Sequence, residues 1–153
     1  MVNRDFRDLF AEFNAHGVEF LIVGAYALAV HGHLRATKDL DVWVRPSAEN
    51  AQRVFSALEA FGAAIDALSA SDFTQLGTVV QLGVAPTRID ILTRIGDIRF
   101  EEAWLRRIEA KYGDQPVSVL SRRDLIAAKR AFGRLQDLAD IEALEQTPDD
   151  ETA

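Results

Sequence analysis

Three aspartates and one glycine carry the chemistry in this chain. Asp39 and Asp41 flank Leu40, and with Trp43 they alternate with Leu40, Val42 and Val44, the period of two that puts both carboxylates on one face of a strand and the apolar trio on the other. Residues two apart on a strand are separated by roughly 7 Å. Carboxylates at that spacing can lean together onto one or two Mg²⁺ ions, which in two-metal sites lie about 4 Å apart. Asp90 has similar surroundings, with Ile89 and Ile91 on one face and Arg88, Asp90 and Leu92 on the other, and is the candidate third carboxylate. Gly24 follows the apolar run Phe20 to Val23 and lets the chain turn sharply into a helix beginning near Ala25, whose free N–H groups can hold a phosphate.

These residues need a sheet and helices to hold them. An opening helix is expected from about Asn3 to His16, because Phe6, Leu9, Phe10 and Phe13 recur at helical spacing and Gly17 supplies a stop. Pro46-Ser47 begins another helix, with Val54, Phe55, Leu58 and Phe61 inward and Gly62 at its end. Thr78 to Val84 and Arg88 to Thr93 read as a hairpin about Ala85-Pro86-Thr87. Glu101 to Arg107 suggests a short helix, and Pro116 to Leu120 a short edge strand beginning with proline. Ser121 to Asp124 has the form of a capping box, followed by an apolar stripe at Leu125, Ala128, Phe132 and Leu135. A last helix spans Leu135 to Glu145 with Leu138, Ile141 and Leu144 inward, and residues 146–153 read as an acidic disordered tail. The expected fold is α+β: a mixed β-sheet flanked by helices, with a C-terminal helical pair, in one domain over residues 1–145.

Composition narrows the chemistry. At 153 residues the chain is one domain by length, a size that buries about 70% of its unfolded surface. It contains no cysteine, which excludes disulfides, thiolate zinc sites and a cysteine nucleophile and leaves oxygen ligands to hold a metal. No apolar run approaches the eighteen or so residues of a membrane span, and the N-terminus lacks a signal-peptide core, so the expected location is cytoplasmic with no membrane partner. The net charge of −7 argues against a broad grip on nucleic acid, although Arg122, Arg123, Lys129, Arg130 and Arg134 make one segment locally basic.

With these residues placed, the chain resembles the nucleotidyltransferase superfamily of the DNA polymerase β type, and most closely its AbiEii-like members. That family's opening pattern VGGxAxxxHGxxRxTxDxD stands here as VGAYALAVHGHLRATKDLD, with Gly24, His31, Gly32, Arg35, Thr37, Asp39 and Asp41 in the matching places. A second match near the end sets the family's K-x4-R-x2-D-x2-D against Lys129, Arg134, Asp137 and Asp140. The resemblance implies transfer of a nucleoside monophosphate from an NTP to an acceptor, RNA or protein, with two Mg²⁺ ions as cofactor. It implies Mg²⁺ ligation by Asp39 and Asp41, a second-metal ligand at Asp90, phosphate binding by the Gly24-Ala25 backbone and nucleotide contact by Lys129. It also implies a toxin–antitoxin or phage-defence setting with a cognate antitoxin. Ala25 departs from the pattern, standing where the family has a second glycine or a serine, and the hydroxyl contact to phosphate is lost with it. The alternative is a catalytically weak or inactive nucleotide-binding regulatory partner of the same fold.

The remaining polar residues have plainer expected roles. His31 is expected to pack or cap a helix end, since zinc would need softer ligands than the chain offers. Arg35 and Lys38 read as a basic loop near the site, and Asp137 and Asp140 as partners of nearby bases. Trp43 shares the carboxylate face, where it packs, walls the site or stacks a base.

Overall fold

The computed structural model describes residues 2–32, 39–83, 87–132 and 135–146, with the backbone alone for 131, 132 and 135–137. The basic loop with Arg35, Thr37 and Lys38, the hairpin turn at 84–86, Arg134 and the tail from 147 lie outside the described residues.

The first helix, α1 (Arg4–Ala15), starts where Asn3 accepts hydrogen bonds from the Asp5 and Phe6 N–H groups, and buries Phe6, Leu9, Phe10 and Phe13. Strand β1 (Phe20–Val23) is buried along its whole length and runs directly into α2 (Gly24–Val30). Strand β2 (Leu40–Val44) leads to α3 (Ala48–Phe61), which is capped by Ser47 and stopped by Gly62 in the left-handed region at φ 92°. Phe55 and Phe61 of α3 are half-buried, while Ala51, Val54, Ala57 and Leu58 make the inward face. A 3₁₀ turn, Ala70–Thr74, anchors Phe73 in the core ahead of the hairpin β3 (Val79–Leu82) and β4 (Ile89–Leu92). The chain closes with α4 (Phe100–Leu105), β5 (Ile108–Tyr112), β6 (Gln115–Val119), α5 (Arg122–Phe132) and α6 (Leu135–Glu145).

The six strands form one mixed sheet in the order β3-β4-β2-β1-β6-β5. The fold is α+β, as the sequence led us to expect. β1 and β2 are antiparallel with Ile22 opposite Val42, and β2 and β4 are parallel with Val42 opposite Ile91. Cross-strand partners share a face. Phe20, Ile22, Leu40, Val42, Val44, Ile89 and Ile91 therefore make one apolar surface, every member of it nearly or fully inaccessible. Helix α1 packs there, its Phe10 stacked on Phe20 with ring centres 5.7 Å apart. The opposite face carries Asp41, Trp43 and Asp90.

Three sequence expectations are corrected. The strand at Pro116 is not an edge: β6 lies between β1 and β5, and the edge is β5. Proline is tolerated because, among the described residues, β6 pairs with β1 only near its end, at Ile22 opposite Val119, and no strand pairs with Pro116 on that side. Leu138 faces outward at 50% exposure. The inward face of α6 is Asp140, Ile141 and Leu144, and at 100° per residue Leu138 lies roughly 110° from its centre. The capping box at the start of α5 is half formed: the Asp124 N–H donates to Ser121 Oγ (3.1 Å), but the Asp124 carboxylate is held by Arg106 instead of turning back to Ser121.

Candidate active site

Asp41 stands at the crossing of three elements. On one side its cross-strand partner is Val23, the last residue of β1, and on the other it is Asp90 on β4. Because β1 runs antiparallel to β2 and β4 runs parallel to it, the end of β1 and the starts of β2 and β4 fall on one rim of the sheet. Gly24 follows Val23 immediately, with φ 71°, and begins α2 with no side-chain cap from Val23. A Cβ at Gly24 would lie 3.2 Å from Asp41 Cγ and 3.3 Å from its Cβ, and would collide with Oδ2. The glycine is required twice, for its backbone angle and for the space the carboxylate occupies.

Asp39 lies just before β2, and Arg88 just before β4 is its neighbour across the gap, its carbonyl accepting from the Leu40 N–H at 2.9 Å. Arg88 Nη2 donates to Asp39 Oδ2 at 3.2 Å, and Arg88 Nε lies 3.2 Å from Asp90 Oδ1. The second contact is an ion pair without hydrogen-bond geometry, since neither buried atom has a hydrogen-bond partner among the described residues. Asp39, Asp41, Asp90 and Arg88 thus form one cluster. Burial, reinforced by the charges of Asp90 and Asp39 and opposed by Arg88, pushes the Asp41 carboxyl up to about 6.

The donor set suits an oxygen-seeking dication: Asp41 and Asp90 face each other across the strands, and the crowding that raises Asp41 is what a second positive charge relieves. The cluster is nonetheless not a preformed cage. Among the described residues no three His, Asp or Glu side chains are arranged to hold a metal ion, and the cation placed among these carboxylates is the Arg88 guanidinium.

The family model for a nucleotidyltransferase of unknown function, DUF6036, matches residues 4–147. The chain belongs to that nucleotidyltransferase family. Solved structures agree on the fold. A lincosamide antibiotic adenylyltransferase, LnuA, with lincomycin bound superposes with a TM-score of 0.61 at 16% identity, covering 95% of this chain and 98% of that one. The antibiotic-resistance factor ANT(2'')-Ia gives 0.62 at 13% identity over 92% and 80% of the two chains. A Thermotoga maritima protein assigned to the nucleotidyltransferases gives 0.61 at 13% identity over 94% of each. No curated protein matches the sequence.

Other sequence candidates occupy different surroundings in this nucleotidyltransferase. Lys129 is buried on α5 with Nζ 3.0 Å from Asp140 Oδ2 of α6, an ion pair that ties the C-terminal helices together. His31 ends α2, and its Nε2 lies 3.0 Å from the Leu120 carbonyl oxygen, fastening α2 to the junction of β6 and α5. Trp43 is fully buried, with Phe100 of α4 edge-on at 5.1 Å. It also lines a cavity of about 450 Å³ together with Arg94, Arg99, Phe100 and Glu101. Its Nε1–H has no acceptor among the described residues. Arg88 is the cluster member that sequence reasoning passed over; its signal was the shared parity with Asp90, on a strand starting opposite Asp39.

Proposed function

We propose that this chain is a Mg²⁺-dependent nucleotidyltransferase that moves a nucleoside monophosphate from an NTP to a hydroxyl of RNA or protein, as the toxin of a toxin–antitoxin or phage-defence pair. The observation that carries the transfer reading is the register: Asp41 lies opposite Asp90 and its carboxylate rests against Gly24. Asp39, Asp41 and Asp90 would hold the two metal ions. The chemistry those ions supply is polarisation of the α-phosphate and a more acidic acceptor hydroxyl. The backbone at Gly24 and Ala25 would meet the phosphates, with no hydroxyl at Ala25 to add a contact. Lys129 would face the nucleotide from α5 once drawn from Asp140. The toxin setting and its antitoxin rest on the AbiEii-like stretch from Val23 to Asp41.

The cavity beside Trp43 favours a second reading of the acceptor. Its volume falls within the range of small-molecule sites, and a lining that holds two arginines and an indole whose N–H has no acceptor among the described residues suits a small polar molecule. Incubating the protein with each α-labelled NTP, Mg²⁺ and cell extract, then separating RNA, protein and small molecules, decides among the acceptors. Label in RNA or protein supports the first reading, and label confined to small molecules supports the second. No label with any NTP would turn the assignment to the non-catalytic nucleotide-binding partner.

A further inference from the structure

We infer that Arg88 is a built-in counter-ion which keeps bare divalent cations out of the carboxylate cluster and yields its place only when a triphosphate arrives with the metal. The inference rests on the metal-dependent reading above and adds a condition on how the site is filled.

Its guanidinium reaches two of the three carboxylates at once, Asp39 and Asp90, both at 3.2 Å. A dication held by those carboxylates would compete with the guanidinium for their charge and be repelled by it at close range, so each cation disfavours the other. The contact with Asp90 is held by charge alone, because Arg88 Nε and Asp90 Oδ1 are buried and close but misaligned for a hydrogen bond. A charge-assisted hydrogen bond would be considerably stronger. The pair is therefore one that an incoming ligand can exchange. Arg88 is also about one-third exposed, so the side chain has an open side toward which to move. A triphosphate supplies the missing inducement, since it brings the metal together with anionic oxygens that a guanidinium recognises through its fork of donors. Metal and nucleotide then bind with positive coupling, which by linkage is reciprocal.

The test uses the full chain and Mn²⁺, followed by electron paramagnetic resonance, with and without a non-hydrolysable NTP analogue. Arg88→Gln removes the charge, Arg88→Lys keeps it, and thermal melts in EDTA verify that each variant is folded. Replacing a unit charge a few ångströms from the metal by a neutral group should tighten bare Mn²⁺ binding roughly tenfold in Arg88→Gln. The gain in Mn²⁺ affinity produced by the NTP analogue should shrink by about the same factor. Arg88→Lys should stay near the unmodified protein, and if Arg88→Gln does not fold, Arg88→Met replaces it with the same expectation. Asp41→Asn reports on the site itself. If Asp41→Asn abolishes Mn²⁺ binding while Arg88→Gln binds bare Mn²⁺ no tighter than the unmodified protein, the metal site stands and the gating role of Arg88 is overturned. Should Mn²⁺ binding survive Asp41→Asn unchanged, the carboxylate cluster is not the metal site, and the inference falls with the reading it rests on.

Discussion

Replacing Asp41 by asparagine should stabilise the metal-free protein, and only above a defined pH. Burial and the charges of Asp90 and Asp39 raise the folded-state carboxyl from 3.8 to about 6. The folded protein therefore holds this proton more tightly than the unfolded chain does. Well below the unfolded value of 3.8 the group is neutral in both states, and the stability linked to it is fully present. As pH rises through about 6 the folded state must ionise a carboxyl that its surroundings disfavour, and that stability is lost. The loss amounts to roughly 3 kcal/mol at the limit and about 2 to 3 kcal/mol with partial solvent access. Asparagine has nearly the same volume and never ionises, so Asp41→Asn should approach the unmodified protein as pH falls to 4 and exceed it by that amount at pH 7.5. For a domain of this size the difference corresponds to a melting-temperature rise of roughly 4 to 12 °C. Urea unfolding in EDTA at half-unit intervals from pH 4 to 8 measures it, and contributions from groups common to both proteins cancel in the difference. Equal stability at pH 7.5, or a gap that does not change between pH 4 and 7.5, would refute the claim that the cluster destabilises ionised Asp41. Adding Mg²⁺ with an NTP analogue should stabilise the unmodified protein above pH 6 and leave the variant unmoved.

Three further substitutions probe the supports of the site. Gly24→Ala forces a side chain into the left-handed region and against the Asp41 carboxylate; it should cost about 2 kcal/mol or more, falling toward the backbone penalty of about 1 to 2 kcal/mol when combined with Asp41→Ala, as read by urea unfolding. Arg106→Ala strips the two hydrogen bonds, 3.0 and 2.8 Å, from the almost fully buried Asp124 carboxylate at the start of α5; a loss of about 3 kcal/mol is expected from the same measurement, with Arg106→Lys recovering only part of it. Ala25→Ser restores the hydroxyl of the related pattern and should leave the melting temperature within a degree or two while strengthening NTP binding in calorimetry; unchanged affinity would mean that the backbone suffices.

Elements whose signals are local were legible in the sequence. Asn3 and Ser47 accept the N–H groups of the first turn where α1 and α3 begin, and Gly62 ends α3 in a conformation few other residues adopt. β1 stood out because all four of its residues are apolar and buried. The hairpin of β5 and β6 was half hidden: Glu109 and Lys111 alternate with half-buried Ile108, Ala110 and Tyr112, a pattern too weakly apolar to mark a strand by itself. The three aspartates and Gly24 were visible as residue types, but their contacts depend on register. Whether Arg88 falls beside Asp39 or one place away is fixed by how β4 aligns with β2, which pairs residues nearly fifty positions apart. Leu138 failed for a geometric reason, because three residues at a spacing of three drift around a helix while the buried stripe on α6 is set by its ion pair from Asp140 to Lys129.

The apolar face of the sheet is what aligns the acidic one. Leu40, Val42 and Val44 are fully buried on one side of β2, where Leu40 and Val42 lie opposite Ile89 and Ile91 of β4, themselves almost fully buried. A slip of one residue between these strands would turn every one of those side chains to the opposite face, an exchange the core cannot accommodate. The register that saves the core is the same one that sets Asp41 opposite Asp90 and opposite Val23, and so brings Gly24 against the carboxylate. Two like charges held side by side weaken the fold above pH 6, yet neither can withdraw without displacing the apolar residues behind it. The cluster is therefore crowded by the packing of the sheet, and a cation, whether Arg88 or a metal, is what the crowding calls for.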